Sequence, residues 1–120
     1  MSIHTLNAGE RCWRHRRGLR ARTDFPVTVR EGSIRADGRC VELSASGAIV
    51  VRGGEGVHGS TLLRLELYLP ERHRAIVALA RRIWAQGAQQ AFRFERLTDA
   101  DRLSLAEHVD LAQLRGQLLA

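Results

Sequence analysis

Alternation of apolar and polar residues dominates the middle of the chain, and this pattern predicts β-strands. It is strictest over residues 60–70, where every second position from 63 to 69 is leucine. The other strand-like segments are 25–31, 33–44, 47–53, 74–85 and 89–97. Asp37-Gly38 predicts a turn that splits 33–44 into two short pieces, and Gly87 predicts the turn between the last two strands. About six short, evenly spaced strands predict a small six-stranded antiparallel β-barrel, closed or nearly closed.

The hydrophobic period changes after residue 97. Leu105, Val109 and Ala112 recur at helical spacing, so residues 98–120 are predicted to form an amphipathic α-helix. Thr98 is suited to the N-cap, and Asp101 follows three residues later as in a capping box. We expect this C-terminal helix to pack against the barrel or against a partner.

Length and composition limit the chain to one domain with an unusual cationic surface. The 120 residues carry a formal net charge of +6, and all 19 basic residues are arginine. A guanidinium binds phosphate in a bidentate way and stacks on bases, which favours an anionic partner. A genome rich in G and C explains the absence of lysine, but it does not explain why the arginines cluster.

Several classes of protein are disfavoured. Cys12 and Cys40 are too few for a disulfide framework or a zinc site, and a buried apolar role is expected for Cys40. The five histidines are scattered without ligand spacing, so no metal is predicted. No catalytic constellation is recognisable, and we therefore expect no enzyme. No signal peptide or membrane span is recognisable either, and the predicted location is the cytoplasm.

Arginine clusters before the first predicted strand, where six of the twelve residues in "RCWRHRRGLRAR" (11–22) are arginine. Such a block is either a solvated tail or a site for an anion. We divide the chain into a flexible N-terminal tail (1–13), an Arg-rich arm (14–24), the barrel (25–97) and the helix (98–120).

Two short motifs, one after the other along the chain, suggest a function for the Arg-rich arm. Arg16 and Arg20 form R-x-x-x-R, with Arg20 six residues before Pro26. Glu42-Leu43-Ser44-Ala45-Ser46-Gly47 follows between two predicted strands. This order resembles the PilZ domain family, whose signature is R-x-x-x-R followed by [D/N]-x-S-x-x-G. PilZ domains also have a six-stranded barrel that ends in a G-V-x-F-like strand, here Ala91-Phe92-Arg93-Phe94, and then a helix.

The resemblance implies that the chain binds cyclic di-GMP, a bacterial second messenger, and it implies no other cofactor. Arginine is the natural bidentate partner of the guanine O6/N7 edge and of phosphate. The implied ligand-binding residues are Arg16, Arg17, Arg20, Glu42, Ser44, Gly47 and Trp84. Arg16 and Arg20 would clamp the ligand with help from Arg17. Gly47 is expected where the backbone needs a positive φ or approaches the ligand closely.

Three positions remain open in this comparison. Glu42 stands where the family has Asp or Asn, so its carboxylate is displaced by one methylene and the affinity is expected to be lower. Trp84 either stacks on a guanine or caps the core beneath the terminal helix. Ala91 replaces a glycine, and we expect it to lie away from the motifs and to affect packing only.

The favoured function is a cyclic di-GMP-binding adaptor that changes conformation and signals through a protein partner in motility, biofilm or pilus regulation. The alternative is a degenerate PilZ protein that does not bind the nucleotide and acts as an interaction adaptor, for example in type IV pilus function. A nucleic-acid-binding barrel shares the charge but does not need E-x-S-x-x-G, so nucleic acid is disfavoured. The protein partner is unidentified, and the expected state is a monomer or a dimer.

Overall fold

The computed structural model describes residues 20–52 and 62–116, which form six strands followed by one helix. The strands are β1 (Arg20–Glu31), β2 (Ile34–Ser44), β3 (Gly47–Arg52), β4 (Leu62–Leu67), β5 (Ile76–Gln86) and β6 (Gln89–Arg96), and the helix is α1 (Asp99–Leu114). The fold class predicted from the hydrophobic pattern is therefore confirmed. The predicted strand 74–85 is confirmed, with bounds of Ile76–Gln86.

The six strands close into a barrel in the order β1-β2-β3-β6-β5-β4, with antiparallel pairing throughout. Closure comes from the β1–β4 pair, in which Val27 faces Leu67. β3 pairs with β6 rather than with β4, its neighbour in sequence. This long-range pair decides which side chains share the outer surface of the barrel.

Alternate side chains of each strand point inward and form the core. On β1 these are Phe25, Val27 and Val29, all at 1% exposure. The helix α1 packs on β1, β2 and β5 and adds Leu105 and Val109 to the same core. Its start is capped as predicted, because the backbone amide of Asp101 donates to Thr98 Oγ1 at 3.1 Å. No helix among the described residues is both long and apolar enough to cross a membrane.

The first two strands differ from the prediction. β1 begins at Arg20, so residues 20–24 of the predicted arm belong to the barrel. β2 runs without interruption through Asp37-Gly38, and the turn lies before it, at Gly32, whose φ is +63°. Gly38 does not make a turn. It lets β3 approach, since a Cβ at this position would lie 2.6 Å from the carbonyl oxygen of Val51.

The described residues include neither end of the chain. Residues 1–19, which include the predicted tail and most of the arm, lie outside the described residues. The helix α1 ends at Leu114, followed by Gly116 with a φ of +70°, a conformation typical of helix ends. The predicted helical residues 117–120 lie outside the described part of the chain.

Candidate functional site

Arg20 and Glu42, one residue from each motif, are in contact at one end of the barrel. In the antiparallel β1–β2 pair Arg20 faces Ser44 and Arg22 faces Glu42. The Arg20 guanidinium reaches diagonally across the two strands and donates a hydrogen bond to the Glu42 carboxylate. The two side chains are only 11% and 17% exposed. The fold thus brings the second arginine of R-x-x-x-R and the acidic residue of E-x-S-x-x-G together.

Ser44 is the last residue of β2, directly before the turn into β3, and is fully buried. Its Oγ accepts a hydrogen bond from the backbone amide of Ser46 at 3.2 Å and lies 3.2 Å from the Ser46 hydroxyl. The same Oγ lies 3.5 Å from the carbonyl oxygen of Gly47. These contacts fix the shape of the turn. In this structure Ser44 therefore holds the turn beside Glu42 and does not present its hydroxyl at the surface.

Gly47 is the first residue of β3 and is buried. It faces Arg93 of β6, and the neighbouring Ser46 carbonyl accepts a hydrogen bond from the Phe94 amide at 2.8 Å. Its φ is not positive, unlike that of Gly32 or Gly87, so the first of the two expected reasons for a glycine here is not met. The second, a close approach of the backbone to the ligand, stays a prediction. The residue instead lies where β3 begins to pair with β6, directly beside the turn that carries Ser44.

A row of paired residues crosses the outer surface of the barrel from Glu42 to Trp84. Glu42 faces Ile49, Ile49 faces Ala91, and Ala91 faces Trp84. Paired residues in neighbouring strands project from the same side of a sheet. Trp84 is 41% exposed and is not part of the core, so it does not cap the core beneath α1.

The position of Ala91 corrects the expectation that it lies away from the motifs. Ala91 occupies the middle of this row, two strands from Glu42 and directly beside Trp84. The sequence could not reveal this, because the β3–β6 pair joins segments about 40 residues apart. Its side chain is small and only 1% exposed, so it is covered by its neighbours in the row.

The same surface holds arginines that the motif did not indicate. Arg22, on β1, is exposed and faces Glu42 of β2, and no ion pair is seen for Arg22 among the described residues. Arg93, opposite Gly47, and Arg81, opposite Arg93, share the carboxylate of Glu95 at 3.2 and 3.3 Å. The hydrogen bond from Arg93 holds the pKa of Glu95 below its ordinary value. Strand alternation from Arg20 was the signal that could have pointed to Arg22.

Arg16 and Arg17 lie outside the described residues, so their place at this surface stays a prediction. Among the residues described, no group of three or more His, Cys, Asp or Glu side chains could hold a metal ion. The described part of the surface combines arginines, two carboxylates, the half-buried Ile49 and an exposed indole.

The sequence matches the PilZ domain family over residues 14–111. The chain belongs to the PilZ domain family. The match contains both motifs, all six strands and most of α1. A comparison with curated proteins gives no match.

Three solved structures share the fold of this chain. The inhibitor of motility MotI/DgrA of Bacillus subtilis superposes with a TM-score of 0.67 at 22% identity, over 85% of this chain and 53% of that one. The PilZ domain of CeSA from a cellulose-synthesizing bacterium gives 0.61 at 24% identity, over 78% and 97%. The PilZ domain of Escherichia coli YcgR, solved with c-di-GMP, gives 0.60 at 11% identity, over 85% and 95%. This chain spans about half the length of MotI/DgrA.

Proposed function

We propose that this PilZ domain is a cyclic di-GMP receptor that acts as an adaptor in the regulation of motility, biofilm formation or pili. The observation that carries the proposal is the contact between Arg20 and Glu42, which joins the two PilZ motifs at one barrel end. PilZ domains are typically receptors or adaptors without catalytic activity, and the output is then a contact with a protein effector.

The charge of the outer surface suits a ligand with two phosphates. Within residues 20–52 and 62–116, the four arginines of this surface stand against two carboxylates: Arg20, Arg22, Arg81 and Arg93 against Glu42 and Glu95. The surface therefore has an excess of two positive charges, which equals the charge of the two phosphodiesters in cyclic di-GMP. Guanidinium groups of this kind contact both phosphate oxygens and the O6/N7 edge of guanine.

The length of the row suits a ligand with two bases. Glu42 and Trp84 are separated by three strand spacings, or about 14 Å at ~4.8 Å each. One guanine is placed against Arg20 and Glu42, and the other stacks on the exposed indole of Trp84. The ring of phosphates and sugars would then lie between them, over Ile49 and the small, buried side chain of Ala91.

Isothermal titration of the purified protein with cyclic di-GMP tests the proposal. We expect a Kd of about 1 μM or tighter, with Arg20→Met weakening it tenfold or more, because a charged hydrogen bond contributes about 1.5–3 kcal/mol. Arg22→Met should weaken it several-fold. Arg64→Met is the matched control, since Arg64 is an exposed arginine on β4, across the barrel from β3. Equal loss in the control would mean a non-specific charge effect.

A second function is favoured by one observation: Arg20 is already occupied by Glu42. A guanidinium with a part-buried carboxylate partner is less available to a ligand than a free one. If isothermal titration of the wild-type protein with cyclic di-GMP gives no heat of binding, the chain is an interaction adaptor of the PilZ fold. Under that outcome Arg20 and Glu42 serve only to join β1 and β2.

A further inference from the structure

The opposite end of the barrel contains a buried polar layer that the proposed ligand site does not use. β3 runs from Gly47 at the motif end to Arg52, about 16 Å away at ~3.3 Å per residue. Four polar side chains are buried inside this second end: Glu31, Arg52 and Gln90, at 7%, 3% and 4% exposure, and Arg82, whose side chain is 11% exposed.

Pairing in the sheet shows that Arg52 points into the barrel. It faces Gly38, which faces the core residue Val27, which in turn faces Leu67. Gly38 has no side chain to fill the interior above Val27, and a Cβ there would lie 2.8 Å from the Cβ of Arg52. The guanidinium group of Arg52 therefore lies in the interior of the barrel, next to a glycine.

Arg82 is satisfied within this layer. Its Nη2 lies 2.9 Å from Glu31 Oε1, and its Nε lies 3.2 Å from Gln90 Oε1. Its guanidinium also lies over the ring of Phe92, 5.9 Å from the centroid. Glu31 and Arg82 thus form a neutral, buried pair.

Arg52 is not satisfied. Its Nε, Nη1 and Nη2 are all buried and have no hydrogen-bond partner among the described residues, and the second oxygen of Glu31, Oε2, is likewise buried without one there. A guanidinium stays protonated in proteins, so its N–H groups need acceptors when water is excluded. Burial, followed by the charge of Arg82, lowers the pKa of Arg52, while Glu31 opposes this shift. The layer carries one net positive charge, unpaired donors and an unpaired acceptor.

We propose that this end of the barrel binds a phosphate group, inorganic phosphate or a phosphomonoester, between Arg52 and Glu31. Phosphate oxygens accept two parallel hydrogen bonds from one edge of the Arg52 guanidinium, and the P–OH of the protonated form donates to Glu31 Oε2. Sulfate offers the acceptors but no donor, because it is fully ionised at neutral pH. The site should therefore prefer phosphate to sulfate, which distinguishes it from a general attraction of anions to a basic protein.

Thermal unfolding and isothermal titration with sodium phosphate, sodium sulfate and sodium chloride at equal ionic strength test the proposal. We expect phosphate to bind with a Kd of about 1 mM or tighter. At ten times that concentration it should raise Tm by about 4 °C or more, with sulfate well below it. Arg52→Met should weaken phosphate binding tenfold or more. Arg39→Met is the control, since Arg39 is an exposed arginine on the adjacent strand.

Other outcomes overturn the proposal. A wild-type protein that does not distinguish phosphate from sulfate and chloride refutes it without any variant, which covers the case in which Arg52→Met fails to fold. An equal phosphate response in Arg52→Met refutes it as well. Glu31→Gln should remove the preference for phosphate over sulfate, and a preference that survives contradicts the assigned donor.

Two further arms identify the source of the phosphate and separate the two ends of the barrel. Equal affinity for methyl phosphate and inorganic phosphate would indicate a phosphomonoester ligand, and rejection of methyl phosphate would indicate free phosphate. The titration is repeated with saturating cyclic di-GMP. Loss of the phosphate response under that condition would place phosphate at the motif end and would refute the proposal.

Discussion

The Arg20–Glu42 ion pair makes a prediction about both stability and ligand affinity. It joins β1 to β2 by a charged hydrogen bond between side chains that are 11% and 17% exposed. Fully exposed pairs contribute about 0–1 kcal/mol, whereas hydrogen bonds to charged groups contribute about 1.5–3 kcal/mol. A part-buried pair lies between these limits, so we expect a coupling free energy of about 1–2 kcal/mol.

A double-mutant cycle measures this coupling. Arg20→Met, Glu42→Gln and the double variant are unfolded in urea, and the double variant should lose about 1–2 kcal/mol less than the two single changes added together. The Arg30–Glu66 pair is a suitable control cycle, because it also joins two strands at 2.9 Å, but Arg30 is 40% exposed. Its coupling should be smaller and should leave cyclic di-GMP binding unchanged.

The affinity for cyclic di-GMP follows from the same pair. Glu42 reaches Arg20 only diagonally across the strands, so shortening it by one methylene, about 1.5 Å, weakens the pair but keeps an acceptor for guanine. Glu42→Asp should therefore tighten binding several-fold. Glu42→Ala removes the pair and the acceptor together. Because the acceptor contributes about 1.5–3 kcal/mol and the pair about 1–2 kcal/mol, Ala should bind more weakly than Glu.

Two results would refute this reasoning. Weaker binding by Glu42→Asp than by the wild type would show that the site is built around the longer side chain. A coupling below about 0.3 kcal/mol, within the usual error of additivity, would show that the ion pair does not hold Arg20.

Three further predictions concern other parts of the barrel. Gly38→Ala should lower the free energy of unfolding in urea by about 1–3 kcal/mol, because the added Cβ meets the carbonyl oxygen of Val51; unchanged stability would contradict the close approach. Burial raises the pKa of Cys40 to about 12, so its thiol in the native protein should react with iodoacetamide at pH 8 far more slowly than in urea, and equal rates would contradict its burial. Trp84→Ala should weaken cyclic di-GMP binding by about 1–3 kcal/mol in titration, and an unchanged Kd would remove stacking from the site.

Local sequence patterns predicted the elements but not the way they meet. The alternating leucines of β4, the turn at Gly87 and the cap at Thr98 depend on neighbouring residues, and all three are confirmed. The prediction of a turn at Asp37-Gly38 was wrong. A glycine after an aspartate is typical of a turn, but a glycine is also needed where two strands pack closely, and the sequence alone does not distinguish the two cases. Only the position of β3 shows that Gly38 is needed for close approach.

The candidate surface was predictable only in part for the same reason. The motifs identified Arg20 and Glu42, and the fold places them in contact. The row that contains Ala91 and Trp84 depends on the β3–β6 pair and its register, which no short pattern specifies. The inward direction of Arg52 was equally hidden, since an arginine at a strand end is usually solvated.

Closure of the barrel restricts how this domain can contact a protein. Every strand pairs with a neighbour on both sides over part of its length, although residues 20–25 of β1 and 82–86 of β5 pair on one side only. The free edges of the described barrel are therefore short, and we expect recognition to use mainly side chains on the outer surface. On β5 the apolar side chains of Val77, Leu79 and Ile83 are about 36–41% exposed and lead along the strand to Trp84. Because a guanine stacked on Trp84 would cover one end of this apolar strip, we expect ligand and partner to be coupled through β5 rather than through a rearrangement of the barrel.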